Sequence, residues 1–243
     1  MRILFVIFLT VFSFSTVFGT AQYSDIIIYN GKKYSLETNP LESYFEKYPD
    51  KRPKDRYGVE VGSTALWRGY VATFEIKDNQ LYLRDIQKEV ATDSSGINTI
   101  EVNVLTEVFP NQELVKVDWF TGLLVLPEGK VINYVHMGYA STSERYILLE
   151  IDEGNLKKER HFDYKEYSEL REKQFQAFKK TEEYEKMKAE IKNMYNDDDF
   201  IESFLRVYVI DYTSKILVES DAHMVNDYFK GIYKRKTGLI KKK

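Results

Sequence analysis

Residues 147–162 read ILLEIDEGNLKKERHF. An apolar run, a short polar turn at Glu153-Gly154 and a second strand-like run follow one another, which is the pattern of a β-hairpin. The same local grammar recurs in IIIYNGKKYSL (26–36) around Asn30-Gly31, in ATFEIKDNQLYLRDI (72–86) around Asp78-Asn79, and in LLVLPEGKVINYV (123–135) around Glu128-Gly129. Asn-Gly is the strongest of these turn signals, because both central residues of a type I′ turn need positive φ. The other three fit slightly longer loops. Hairpins in succession predict an antiparallel meander over the first two thirds of the chain.

Two of the hairpins align without gaps. Phe74-Glu75-Ile76 matches Leu149-Glu150-Ile151, Asp78-Asn79 matches Glu153-Gly154, and Leu81 matches Leu156. Strand alternation and turn chemistry already demand these residue types of any half-buried hairpin, so the match is read as convergence on one local solution rather than as a duplication.

Two short helices are expected within the meander. NPLESYFEKYP (39–49) offers Asn39 as cap, Pro40 at the first helical position and Leu41, Tyr44, Phe45 and Tyr48 on one face. SSGINTIEVNVLTEVFP (94–110) places Ile97, Ile100, Val104, Leu105 and Val108 at helical spacing, although its β-branched content also suits a strand. Between the first helix and the next strand, PDKRPKDRYGVEVGS (49–63) is polar and rich in Pro and Gly, as a surface loop would be.

The last third changes character. From Asp163 to about Met194 the pattern is helical and highly charged, with Tyr167, Leu170, Phe178 and Ile191 in its apolar set. A second helix follows NDDD, capped by one of Asp197 to Asp199, and a third short one is expected from about Ser220 to Lys236. The fold class is thus α+β: an antiparallel β-meander of about six to eight strands with two short helices, followed by a charged C-terminal helical hairpin packed on or beside the sheet. The expected organisation is a signal peptide over 1–21, a β-rich domain over 22–162 and a helical region over 163–243.

The leader is read from MRILFVIFLTVFSFSTVFGTAQ, in which Arg2 precedes an apolar run and small residues follow at Gly19 and Ala21. That is the form of a secretory signal cut near Ala21, and the run is shorter than the ~20 residues a membrane span requires. An exported protein, periplasmic or secreted, is expected. The chain has no cysteine, which excludes a disulfide framework, a thiol nucleophile and cysteine-bound metal.

A formal charge of −3 argues against nucleic acid as partner, since phosphate binding needs clustered cations. One basic cluster does occur, in YFKGIYKRKTGLIKKK (228–243), where contact with an anionic membrane surface competes with an ordinary solvated chain end.

Candidate chemistry centres on His136, with Glu144, Ser141, Ser143 and Asp118 as conceivable partners. A hydrolase acting on peptide or glycan would need such a base against a nucleophile or a carboxylate, but no G-x-S-x-G elbow is present. His136, His161 and His223 show no metal-ligand spacing, and the aspartates of NDDDF (196–200) suit a helix cap better than a calcium loop. No metal or cofactor is expected. Glu75 and Glu150 sit beside turns, where solvated strand-face carboxylates are the simpler reading.

The aromatic signal is more suggestive. ALWRGYVATFEI (65–76) and VDWFTGLLVL (117–126) each place a tryptophan near a glycine and before an apolar strand, and 19 tyrosines accompany them. Trp67, Arg68, Trp119, His136, Tyr139 and Arg145 are the expected ligand-binding residues, on a face that would hold peptide or sugar by stacking and polar-tip hydrogen bonds. The expected function is a non-catalytic binding or envelope-associated module, its partner a peptide, a glycan or another envelope protein. Burial of both tryptophans would remove its support, and the charged helices are an alternative interaction surface.

Overall fold

The computed structural model describes residues 21–213, apart from Val59, Glu60, Gly62 and Met137. Residues 1–20 of the expected leader, His223, the third C-terminal helix and the basic cluster lie outside the described residues. The architecture is mixed α+β with a largely antiparallel sheet of nine strands. In chain order these are β1 (Asp25–Tyr29), β2 (Lys32–Leu36), β3 (Val71–Lys77), β4 (Gln80–Ala91), β5 (Thr99–Asn103), β6 (Val115–Lys116), β7 (Gly122–Asn133), β8 (Thr142–Asp152) and β9 (Asn155–Asp163). The helices are α1 (Pro40–Lys47), α2 (Leu105–Val108), α3 (Tyr164–Phe178), α4 (Glu182–Lys192) and α5 (Asp198–Thr213).

Three of the four expected hairpins form; Asn30-Gly31 makes the tight turn its sequence suggested, and Asp78-Asn79 and Glu153-Gly154 close more tightly than expected. Asn30-Gly31, Asp78-Asn79 and Glu153-Gly154 all have positive φ at both central residues, between 46° and 77°, so each closes in two residues with the twist antiparallel strands require. The fourth does not form. Glu128 and Gly129 lie within β7, which passes through a register shift between Glu128 and Val131 while it pairs with β8. This is a bulge rather than a turn. The reversal comes later, between Asn133 and Thr142, and His136 belongs to that loop and not to a strand.

The sheet is also not a pure meander. Its strand order is β2-β1-β3-β4-β9-β8-β7, with β5 and β6 both paired to β4. Strands β1 and β3 run parallel, Ile26–Ile28 against Thr73–Glu75. Parallel neighbours need a long crossover, and α1 with the loop after it provides one. The two ends of the strand order meet. Glu37 donates its N–H to the Val125 carbonyl at 2.9 Å, while the Thr38 hydroxyl donates to the Leu123 carbonyl at 3.1 Å and accepts from the Val125 N–H at 3.2 Å. The sheet is thereby rolled around one interior, where Ile27, Phe74, Leu83, Leu124 and Leu149 join the same cluster from β1, β3, β4, β7 and β8.

The two hairpins that match in sequence meet tip to tip. Leu81 donates to the Gly154 carbonyl and Leu156 to the Asn79 carbonyl, both at 2.8 Å. Gly154 admits no side chain there, because a Cβ would lie 2.2 Å from the Val117 carbonyl oxygen.

The helix expected over 94–110 is instead β5 followed by the single turn α2. Strand β4 is long enough to run beyond its β3 partner, and its last five residues, Gln87 to Ala91, accept Asn103 to Thr99 as an antiparallel neighbour. The β-branched Ile100 and Val102 suit that pairing, and Ile97 and Ile100 remain exposed.

Helix α1 forms as expected and buries Leu41 and Phe45. The charged region is three helices over its described part, because the run expected to reach Met194 breaks after Phe178. Asp163 makes a full capping box with Glu166 at the start of α3, and Thr181 caps α4 by accepting from the Tyr184 N–H. Before α5, Asp197 accepts from the N–H groups of Asp199 and Phe200. Tyr167 and Leu170 of α3 cover the outer face of β7 and β8 at Leu123, Tyr146 and Leu148. No helix among the described residues is long and apolar enough to cross a membrane.

Candidate ligand cleft

Strand alternation turns Asp25 inward. Along β1 the buried positions are Asp25, Ile27 and Tyr29, so an acid occupies a place the pattern reserves for an apolar side chain. The carboxylate is compensated from the turn that precedes β3. Arg68 lies 3.3 Å from it, and neither side chain is exposed to any extent. The Ala72 N–H donates to the same carboxylate oxygen at 2.9 Å.

Arg68 organises its surroundings further. It donates to the Tyr139 hydroxyl at 2.9 Å and to the Tyr23 carbonyl at 2.7 Å, so the segment before β1 and the β7–β8 loop converge on one guanidinium. Tyr139 donates in turn to the Asn39 side-chain oxygen at 3.0 Å. That contact explains why Asn39 makes no side-chain cap on α1 although it stands at the N-cap.

Burial raises the Asp25 carboxyl to about 6, against the opposing pull of Arg68 and the Ala72 N–H. Arg68 Nε and Asp25 Oδ2 make no hydrogen bond among the described residues, although both are buried. Such unmatched groups are costly and concentrate at functional sites.

A cleft of about 670 Å³ opens beside Arg68. Its wall includes Arg52, Asp55, Trp67, Tyr70 and Lys88 beside Arg68. Lys88 is in phase with Ile86 and Val90 on β4 and is buried, with its ammonium 2.9 Å from Asp55. Arg52 stands 2.6 Å from Glu42, which also accepts from the Tyr70 hydroxyl at 2.6 Å. Burial and the nearby carboxylates hold the Tyr70 hydroxyl protonated far above neutrality. Trp67 is 57% exposed at the rim.

The six expected ligand-binding residues therefore divide. Trp67, Arg68 and Tyr139 come together. Trp119 is half-buried elsewhere, stacked on Phe109 at 5.6 Å and donating to the Pro40 carbonyl at 3.1 Å. Arg145 is exposed on β8 beside Glu128, at 3.1 Å. His136 is exposed in the β7–β8 loop, where its Nδ1 meets the Tyr134 hydroxyl at 3.0 Å.

The conceivable partners of His136 are engaged elsewhere. Glu144 accepts from the Lys130 N–H at 3.1 Å, and the Ser141 hydroxyl braces the N–H and carbonyl of Val135. Ser143 is buried, and Asp118 is exposed before β7, whereas His136 follows the other end of that strand. Among the described residues no three acids or histidines converge as a metal site would require.

Sequence reasoning missed Asp25, Asn39, Arg52, Asp55 and Lys88. For Asp25 and Lys88 a signal existed, because each falls on the inward phase of its strand. Nothing local marks Arg52 or Asp55, which sit in a loop that only tertiary structure brings to the cleft. No family model matches the chain, and neither a curated protein nor a solved structure matches it.

Proposed function

We propose that the protein is an exported, non-catalytic binding module whose ligand, a glycan or a peptide, docks in the cleft beside Trp67. The observation that carries this reading is the exposure of Trp67, 57%, directly next to the buried Arg68, which Tyr23, Asp25 and Tyr139 hold in place. An indole left in water beside a rigid polar floor offers a flat apolar face with hydrogen-bonding groups at its edge, which is the make-up of a small-ligand site. Arg68 and Tyr139 act as positioning residues, since both are buried and hold the rim in place. The apolar run at 3–18 and the small residues at Gly19 and Ala21 support export.

Two experiments test the reading. Probing immobilised glycans and peptides with the wild-type protein and with Trp67→Ala should give signals that the variant loses while its thermal unfolding stays unchanged. Binding that is indifferent to Trp67 would remove the cleft from consideration. N-terminal sequencing of protein recovered outside the cytoplasm should begin near Gln22; an intact Met1 in a cytoplasmic fraction would end the export proposal.

A further inference from the structure

We infer that the ligand of the Trp67 cleft is a neutral, hydroxyl-rich saccharide segment; this rests on the cleft being a binding site and narrows what it binds. The first ground is charge balance. Three cationic side chains reach the wall of the cleft, and each already has a carboxylate: Arg52 with Glu42 at 2.6 Å, Lys88 with Asp55 at 2.9 Å, and Arg68 with Asp25 at 3.3 Å. A site built for an acidic group keeps a cation uncommitted so that the incoming charge has a partner. Here an anion would compete with fixed carboxylates and meet no net attraction from these pairs.

A hydroxyl group is suited to the same arrangement. It donates one hydrogen bond and accepts others, so it can sit between a guanidinium and a carboxylate and satisfy both. Arg52 commits one nitrogen to Glu42 and is 40% exposed, and Asp55 commits one oxygen to Lys88 and is 34% exposed. Both pairs therefore present further donors and acceptors to solvent in the cleft. Trp67 supplies the apolar face on which the C–H face of a pyranose ring can lie.

The second ground is size. The cleft is walled by the turn before β3, by the loop that holds Arg52 and Asp55 and by Lys88 of β4. Its volume falls within the range of about 300–1,000 Å³ that small-ligand sites occupy.

The test uses Trp67 as the reporter. The chain has only two tryptophans, so Trp119→Phe leaves Trp67 as the sole indole. Its emission is followed while cellotetraose, maltotetraose, chitotetraose, tetragalacturonate and tetra-alanine are titrated in turn, at about 50 and about 500 mM NaCl. Wild-type protein, followed by calorimetry, controls for the substitution.

The expected result is saturable binding of at least one neutral tetrasaccharide, unchanged by salt and weakened roughly tenfold by Asp55→Asn at unchanged circular dichroism. Tighter binding of tetragalacturonate that falls with salt would overturn the neutral assignment. Saturation by tetra-alanine alone would overturn the saccharide while keeping the Trp67 site. No saturable response from any probe, with calorimetry equally silent, would overturn both.

Discussion

The carboxylate of Asp25 and the guanidinium of Arg68 meet 3.3 Å apart with neither side chain reaching solvent. One residue stands at the start of β1 and the other in the turn before β3, so their contact ties that turn to the parallel strand pair that departs from the meander. A buried pair of this kind stabilises little against an apolar substitute, but removing one partner strands the other. Asp25→Leu and Arg68→Met should each lower stability by about 3–5 kcal/mol, while the double variant Asp25→Leu/Arg68→Met should recover much of that loss. Urea unfolding of the three variants measures this. Additive losses would show that the two groups do not act as a pair.

Glu37 makes the fold less stable as pH rises toward 8. It follows β2, where its N–H closes the roll of the sheet, and burial raises its carboxyl to about 8, with Arg171 of α3 pulling the other way. The folded state thus holds a proton that the unfolded chain has lost above the ordinary glutamate value of 4.5. The contribution of Glu37 to stability falls as pH rises from about 4.5 to about 8 and is flat beyond. Asp25 contributes a fall of the same sign, confined to the interval from 3.8 to about 6. Glu37→Gln, uncharged throughout, should flatten the slope between pH 6 and pH 8, which is about the window left to Glu37 alone, and should exceed wild type at pH 9 by roughly 1–3 kcal/mol. Thermal melts across that window would detect it; parallel curves for the two proteins would place the proton elsewhere.

The two tryptophans should separate folding from binding. Trp119 packs between Tyr44, at 4.8 Å, and Phe109, and its indole N–H is satisfied by Pro40. Trp119→Ala removes all of these and should cost about 3–5 kcal/mol. Trp67→Ala removes a side chain that lies mostly in solvent and should stay within about 0.5 kcal/mol of wild type, with its effect confined to ligand affinity. Denaturant melts of both variants test the contrast, and a large loss for Trp67→Ala would mean that the cleft rim is structural.

The legibility of this fold tracks how local its causes are. Two-residue turns and the cap of α3 rest on residues adjacent in sequence, so Asn30-Gly31 and the Asp163 helix start could be read directly. The register of Ile100 and Val102 could not, because whether a β-branched run becomes helix or strand depended on β4 extending far enough to receive it. Glu128-Gly129 has the composition of a turn and became a bulge because β8 continues past it as a partner. The site was half legible for the same reason. Trp67 and Arg68 are neighbours, but the acid that fixes Arg68 comes from β1, 43 residues away. His136 drew notice as a rare residue type, which carries no information about what surrounds it.

Gly31 and Gly154 provide an internal comparison of backbone strain with packing. Both hold the second position of a type I′ hairpin turn, with φ of +74° and +77°. A methyl group on Gly31 would meet nothing within 4 Å, so Gly31→Ala should cost only the left-handed conformation, about 1–2 kcal/mol. At Gly154 the same methyl would lie 2.2 Å from the Val117 carbonyl oxygen and 2.6 Å from the Gln80 side-chain nitrogen. The Gly154 N–H also donates to the Phe120 carbonyl at 2.9 Å, so backing away would break the junction where the two hairpins meet. Gly154→Ala should therefore cost at least about 3 kcal/mol more than Gly31→Ala. Equal losses in urea melts of the two variants would show that β8–β9 can shift at its tip, and that the rolled sheet is not locked there.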